Sequence, residues 1–339
     1  MKVVENASLR SLNSLAVDAS AKLLISIDSE EDLLSLPAFD SKKDFVLGGG
    51  SNVLFATGVP GTVFLNRIAG REIVEEHDDR VLIEVGSGEN WHELVLWSLA
   101  KSLCGLENLS LIPGLAGAAP IQNIGAYGVE LSSVLEGVTA WDWHKSGWVM
   151  FSKDECKLEY RDSRFKSAES GRYLITSLRL RLNRNGTPHI EYAGLRDELE
   201  AMGISQADSR QVSDAVIRIR QRKLPDPAQI GNAGSFFKNP IVSPDEAAEL
   251  QQLFPALPGW PAGAAKVKLS AAWMIEFCGL KGIRNGDAGV SDQHSLVLVN
   301  HGSASGSEIA NLARQVSTVV FEQFGVRLEQ EPVLVDFGK

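Results

Sequence analysis

From Ile112 to Gly128 the chain reads IPGLAGAAPIQNIGAYG, and ten of these seventeen residues are glycine, alanine or proline. Such a stretch has little apolar surface to bury, and its glycines and prolines interrupt helix and strand alike. What small side chains do permit is close approach of the backbone to a bulky neighbour. A glycine-rich surface loop would read the same way. A second segment of this kind, Gly48-Gly49-Gly50-Ser51-Asn52-Val53, follows the apolar run Asp44-Phe45-Val46-Leu47. Successive glycines let backbone N–H groups converge on an anion. A dinucleotide-binding Rossmann turn would need glycine at position 53, where Val53 stands, so that fingerprint is excluded. A plain turn at a strand end is the alternative for either segment taken alone. Two of them in one domain point to one shared phosphate-bearing cofactor.

Periodicity supplies the framework. Asp44–Leu47, Thr62–Leu65, Val81–Val85, Val138–Trp143 and Trp148–Phe151 read as strands, the last two as a pair. Leu178 to Leu182 alternates strictly with Arg179 and Arg181, which predicts a strand with one wet face. Trp91–Leu103 reads as a helix that Gly105 ends. Val212, Ala215, Val216 and Ile219 fall at i, i+3, i+4 and i+7 of a helix with one buried stripe. Ser243-Pro244-Asp245-Glu246 is a capping box. Leu296–Asn300 reads as a strand, Ser307–Phe324 as a long helix, and Leu328–Val335 as a closing strand. The change of character near Ser209 marks a domain boundary.

Four further clusters carry candidate chemistry. Ile217–Lys223 holds four cations in seven residues, held in place by Leu224-Pro225-Asp226-Pro227. They suit a diphosphate, although a helix C-terminus favours cations in any case. Gly231–Pro240 sets Ser235 between Gly234 and two phenylalanines, with no His–Asp partner of a hydrolase nearby. Ser235 is then a proton donor, a hydrogen-bonding group or a turn residue. Arg161, in Tyr160-Arg161-Asp162-Ser163, suits a carboxylate or an ion pair with its neighbour; Glu329 and Glu331 are solvated or catalytic acids.

The formal net charge of −10 argues against nonspecific nucleic-acid binding, and any anionic ligand requires a local basic patch. No apolar stretch reaches the length of a membrane span. The N-terminus lacks the core of an export signal, so the expected compartment is the cytoplasm. Cys104, Cys156 and Cys278 are too far apart for a disulfide framework, and no histidine has metal-ligand spacing; His294 is the one histidine of interest.

Taken in order, GGGSNVLF, GLENLSLIPGLAGAAPIQNIGAYGVEL, YRDSRFK, RKLPDP, GNAGSFFKNP and LEQEP resemble the UDP-N-acetylenolpyruvoylglucosamine reductase (UDP-N-acetylmuramate dehydrogenase) family. The likeness runs from about Asn13 to Val335. It implies an α+β fold: a two-part FAD-binding domain of the vanillyl-alcohol-oxidase (PCMH) type plus a C-terminal α/β substrate-binding domain. The implied division is 1–68 joined by strand 328–339, then 69–208, then 209–327. It implies non-covalent FAD, NADPH as co-substrate, and reduction of UDP-N-acetylglucosamine enolpyruvate by a monomer without metal, nucleic-acid or membrane partners. Gly48, Gly49, Gly50, Ser51 and Asn52 match one FAD segment. Ile112, Pro113, Gly114, Gly117, Ala118, Gln122, Asn123, Gly125, Ala126, Tyr127 and Gly128 match the other. Arg161, Ser235 and Glu331 match the catalytic positions, Ser235 supplying a proton. LEQEP stands where relatives read LEPEV, so Glu329 also enters, although Glu331 keeps the register. Tyr160, Arg220, Lys223 and Asn239 match substrate-contacting positions, and Tyr192 matches a loop tyrosine that covers substrate in one subtype. Two rivals share these residues: another FAD-dependent oxidoreductase of the same fold, and a nucleotide-sugar-binding regulatory module.

Overall fold

Buried apolar stripes organise the chain much as its periodicity suggests. The computed structural model describes residues 1–263 and 265–338. The chain opens with β1 (Lys2–Ser8), β2 (Ser20–Ile27), β3 (Phe45–Leu47), β4 (Val53–Phe55) and β5 (Val59–Asn66). The hairpin of β6 (Arg71–His77) and β7 (Arg80–Gly86) leads into α1 (Trp91–Ala100). The short strands β8 (Gly125–Ala126) and β9 (Val129–Glu130) precede β10 (Leu135–Asp142), β11 (Gly147–Ser152), β12 (Tyr173–Asn183), α2 (Ala193–Ala201) and α3 (Ser209–Lys223). Then come β13 (Gly231–Ser235), β14 (Ile241–Val242), α4 (Pro244–Leu253), β15 (Gly259–Pro261), β16 (Val267–Leu269) and α5 (Ala271–Phe277). The last elements are β17 (Arg284–Asn285), β18 (Ala288–Val290), β19 (Val297–Asn300), α6 (Gly306–Phe324) and β20 (Val333–Val335).

The chain divides into two compact units. The first holds residues 1–7, 21–50 and 59–222; the second holds 8–20, 51–58 and the chain from Lys223 onward. In the first, β2 and β3 flank β5 in parallel, and β1 completes a four-stranded sheet. β5 is buried along almost its whole length, as expected of a parallel strand covered on both faces. A five-stranded antiparallel sheet follows in the order β11-β10-β12-β7-β6. In β12, Leu178, Leu180 and Leu182 are buried, while Arg179 and Arg181 pair with Glu84 and Glu136 at 2.8 and 3.0 Å on the wet face. The second unit carries the sheet β13-β19-β18-β17, the sheet β14-β16-β15, and the parallel pair β20-β4. Its helices α4 and α6 both start with capping boxes, Ser243 with Glu246 and Ser305 with Glu308. No helix among the described residues is long and apolar enough to cross a membrane. The three cysteines are free thiols, and burial pushes Cys156 up to about 12.

Four boundaries differ from those expected. The break expected at Ser209 falls instead at Arg222–Lys223. The reason is the α3 stripe: Val212, Ala215, Val216 and Ile219 pack with Leu195 and Leu199 of α2, which ties the helix to the first unit. No break occurs at residue 68 either, because Asn66 Nδ2 donates to the Ile175 carbonyl at 2.7 Å across its two sheets. Helix α1 stops at Ala100 rather than Leu103, since Ser102 already takes a left-handed φ of +57° ahead of Gly105. The closing strand is only Val333–Val335; Pro332, which has no N–H, stands before it.

Replacement of Ile219 by alanine removes a fully buried stripe residue and should cost about 3 kcal/mol. Urea unfolding followed by circular dichroism measures this; an unchanged midpoint would contradict the packing of α3 into the first unit.

Candidate active site

The segment Ile112–Gly128 has almost no side-chain surface with which to hold itself, and its neighbours hold its first half along one edge. Gly117 N–H donates to the Ser87 carbonyl (2.9 Å) and Ala116 N–H to the Glu89 carbonyl (2.8 Å). The Gly114 carbonyl accepts from Trp91 N–H (3.0 Å), and the Leu109 carbonyl accepts from Trp91 Nε1 (3.0 Å). Leu111 N–H donates to His92 Nδ1 at 3.0 Å, and Leu111 O accepts from Arg220 Nε at 3.2 Å. The turn between β7 and α1, together with Trp91 and His92 at the start of α1, is thus the backing of the loop. Against its other side lies the first glycine segment. A Cβ on Gly49 would fall 2.9 Å from the Gly114 Cα, so the two glycine segments meet backbone to backbone. Among the described residues no group of His, Cys, Asp and Glu could hold a metal.

The second half of the loop carries an arginine. Arg161 Nη2 donates to the Gly125 carbonyl at 2.7 Å, and its guanidinium lies 5.3 Å from the Tyr160 ring centroid. Asn123 is buried, and its amide donates to Glu130 Oε2 (2.9 Å) and to the Glu159 carbonyl (3.1 Å). Ser163 Oγ donates to the Ile121 carbonyl at 2.6 Å and caps the turn that follows. Arg161, Asn123, Tyr127 and Leu111 all take left-handed φ values without being glycine. Such outliers cost free energy and persist where surrounding contacts over-determine them. Tyr127 meets Tyr192 edge to face at 5.4 Å, and Tyr192 is 49% exposed. Burial raises the Tyr127 pKa, opposed by the nearby Arg220.

In the second unit, Gly234 takes φ +69° and its N–H is held by Asn232 Oδ1 at 3.0 Å. The register slips there, and Ser235 pairs with Val297. The bulge re-aims Ser235, which is partly exposed and whose hydroxyl makes no hydrogen bond among the described residues. The next residues are stitched on both sides. Phe236 N–H donates to Leu296 O (2.7 Å), Glu331 N–H to Phe236 O (2.8 Å), and Lys238 N–H to Glu329 O (2.9 Å). Asn52 Nδ2 donates to the Glu331 carbonyl at 3.4 Å. The two acids differ: Glu329 is exposed and ion-paired with Lys238 (3.2 Å), whereas Glu331 is half-buried. His294 Nδ1 accepts from Leu296 N–H at 3.2 Å; burial, then Lys223 and Lys281, lowers its pKa.

Some expected arrangements change. The four cations of α3 do not form one patch, because successive residues turn by 100°. Arg220 points to Leu111, Arg222 pairs with Glu198 at 2.6 Å, and Arg218 and Lys223 are exposed. Phe236 and Phe237 are 1% and 2% exposed, so they belong to the core and offer no ring face to a ligand. Asn239 Oδ1 accepts from Ala271 N–H at the start of α5 (3.0 Å). The amide of Asn123, expected at the cofactor, donates to Glu130 Oε2 and to the Glu159 carbonyl. Sequence reasoning missed Ser87, Trp91, His92 and Asn108, whose amide donates to the carbonyls of Tyr127 (3.0 Å) and His189 (2.8 Å). The signals available were the Trp-His pair opening an amphipathic helix and the Asn inside GLENLSL.

Gly49 and Gly114, one from each glycine segment, meet with no side chain between them, the close backbone approach that a cradle for a diphosphate-bearing cofactor needs. A family model described as an FAD binding domain matches residues 21–147, which contain both segments. The protein is an FAD-binding flavoprotein of α+β fold. A second model, described as UDP-N-acetylenolpyruvoylglucosamine reductase, C-terminal domain, matches 226–335. Reductases of that name from Xanthomonas oryzae pv. oryzae and Pseudomonas aeruginosa are 47% and 45% identical. Each alignment covers 98% of this chain, with 98% and 99% of theirs. The chain belongs to the UDP-N-acetylenolpyruvoylglucosamine reductase family. The crystal structure of the reductase from Thermus caldophilus is similar throughout, with a TM-score of 0.65 at 25% identity over 99% of this chain and 98% of that one. A 4-ethylphenol oxidase from Gulosibacter chungangensis is similar in fold alone, with a TM-score of 0.50 at 12% identity over 93% and 82% of the two chains.

Gly49→Ala places a methyl against the Gly114 backbone and should weaken FAD affinity by about tenfold or more. The ratio of flavin to protein absorbance after purification and dilution checks this. Full flavin occupancy at the same dilution would contradict the cradle.

Proposed function

We propose that this protein reduces the enol ether of UDP-N-acetylglucosamine enolpyruvate to UDP-N-acetylmuramate with NADPH as co-substrate, in the cytoplasm, as a step of peptidoglycan synthesis. FAD, when bound, would supply the hydride chemistry that links NADPH to the vinyl carbon of the substrate. Gly48–Asn52 and Ile112–Gly128 hold the cofactor. The protein's own residues manage the charge and the proton.

Addition of hydride to the vinyl carbon pushes electron density onto the neighbouring carboxylate as an enediolate. A fixed cation and a hydrogen-bond donor are what that developing charge needs. Arg161 is the cation: its guanidinium is aligned by the Gly125 carbonyl and the Tyr160 ring, so it reorganises little when the charge appears. Glu331 is the second group assigned to that charge. Ser235 then delivers a proton to the carbon that bears the ether oxygen. A serine hydroxyl is a weak acid, and it suffices because the enediolate is a strong base. The observation that carries this assignment is the 2.8 Å bond from Glu331 N–H to the Phe236 carbonyl. It fixes the acid's segment one residue from the serine. The register of LEQEP and the exposure of Glu329, against the half-buried Glu331, favour Glu331 as the acting acid. Tyr160, Arg220, Lys223 and Asn239 bind the substrate, and Tyr192 covers it; Arg220 does so from its place on the Leu111 carbonyl.

In stopped-flow, Ser235→Ala should leave bleaching of the flavin by NADPH near the wild-type rate. Recolouring by the enol ether should slow by about three orders of magnitude, the middle of the range for acid–base catalysis. An equal fall in both steps would make Ser235 structural. Glu331→Gln should slow the second step and Glu329→Gln should not; the reverse pattern would exchange their roles.

A further inference from the structure

Leu111 stands at the entrance to the longer glycine segment in a conformation that a leucine rarely adopts, φ +57°. A left-handed leucine costs about 1–2 kcal/mol, so neighbouring contacts must hold it. Both of its backbone polar groups are taken by side chains: the N–H by His92 Nδ1 at 3.0 Å, the carbonyl by Arg220 Nε at 3.2 Å. The next residues are Ile112-Pro113-Gly114, and Gly114 is the residue pressed on Gly49. The half-buried imidazole of His92 accepts this bond only while Nδ1 is unprotonated.

We infer that His92 is a positioning residue for the cofactor loop, and that a proton on its imidazole releases Leu111 and so loosens FAD. Protonation turns the acceptor at Nδ1 into a donor that faces another donor. It also sets a second positive charge beside Arg220. The charged groups facing His92 are Glu93, from its own helix, and Arg220, from α3. Burial first, and Arg220 after it, holds the imidazole below its ordinary 6.5, while Glu93 opposes. The closed loop therefore binds fewer protons than the open one. The hold is complete above pH 6.5 and is lost as the pH falls below it towards the depressed value.

The inference rests on the assignment of Ile112–Gly128 to FAD. FAD release from the holoprotein can be followed by recovery of free-flavin fluorescence over a dilution series at pH 8.0 and 5.5. Wild type should bind FAD about tenfold more weakly at the lower pH, the effect of one buried hydrogen bond. His92→Asn keeps an acceptor at the position of Nδ1 and does not titrate. It should bind near the wild-type level at pH 8.0 and lose most of the pH effect. His92→Leu should bind weakly at both. A pH effect of wild-type size in His92→Asn would overturn the inference, and this comparison stands even if His92→Leu fails to fold. If wild type itself releases no flavin because it holds none, the FAD assignment fails, which is a separate result.

Discussion

A loop built from glycine, alanine and proline has no side chains with which to hold a shape, so its shape must be imposed. Here the backbone of Ser87–Trp91 and the side chains of Trp91, His92 and Arg220 impose it by hydrogen bonds to Leu109, Leu111, Gly114, Ala116 and Gly117. The rest of the first unit follows from that requirement. Trp91, buried at 1% exposure, is both core residue and loop anchor, so the packing of α1 fixes the loop. The stripe of α3 packs with α2, and the same helix delivers Arg220 to Leu111. Core packing and cofactor geometry are therefore not separable: a cavity under α3 would be felt at Leu111.

The second unit solves a different problem, the placing of a hydroxyl and a carboxyl. Its answer is a strand, β13, with a bulge at its end and a neighbour on each side, the 294–297 segment and the 329–331 segment. Backbone bonds set the segments of Ser235 and Glu331 within one ladder, with Asn232 and Asn52 bonding to the same backbone. Both units also use one device: buried asparagines (Asn108 and Asn123 in the first, Asn232 in the second) tie off loops through their side-chain amides.

Much of the fold was legible because buried stripes impose a period. The β12 alternation, the α3 stripe and the capping box of α4 each have a local signature, and each forms where that signature stands. β1 and β6 carried no such mark: most of their residues are exposed on both faces, so no apolar period exists to read. The domain break at Lys223 was hidden for another reason. Periodicity tells which face of α3 is buried, not which neighbour buries it. At the site, the glycine segments and Ser235 stood out by composition. Their supports did not, because a histidine accepting a backbone N–H or an asparagine donating to two carbonyls has no spacing rule. The cation cluster of α3 misled because closeness in sequence was taken for closeness in space.

The most direct measurement is a full catalytic cycle without oxygen. Holoprotein is bleached by one equivalent of NADPH, then mixed with UDP-N-acetylglucosamine enolpyruvate, with flavin absorbance and product mass recorded together. The colour should return in step with conversion of the sugar to a product carrying one added pair of hydrogens. A protein that stays bleached with this sugar, or recolours without converting it, would contradict the assigned reaction.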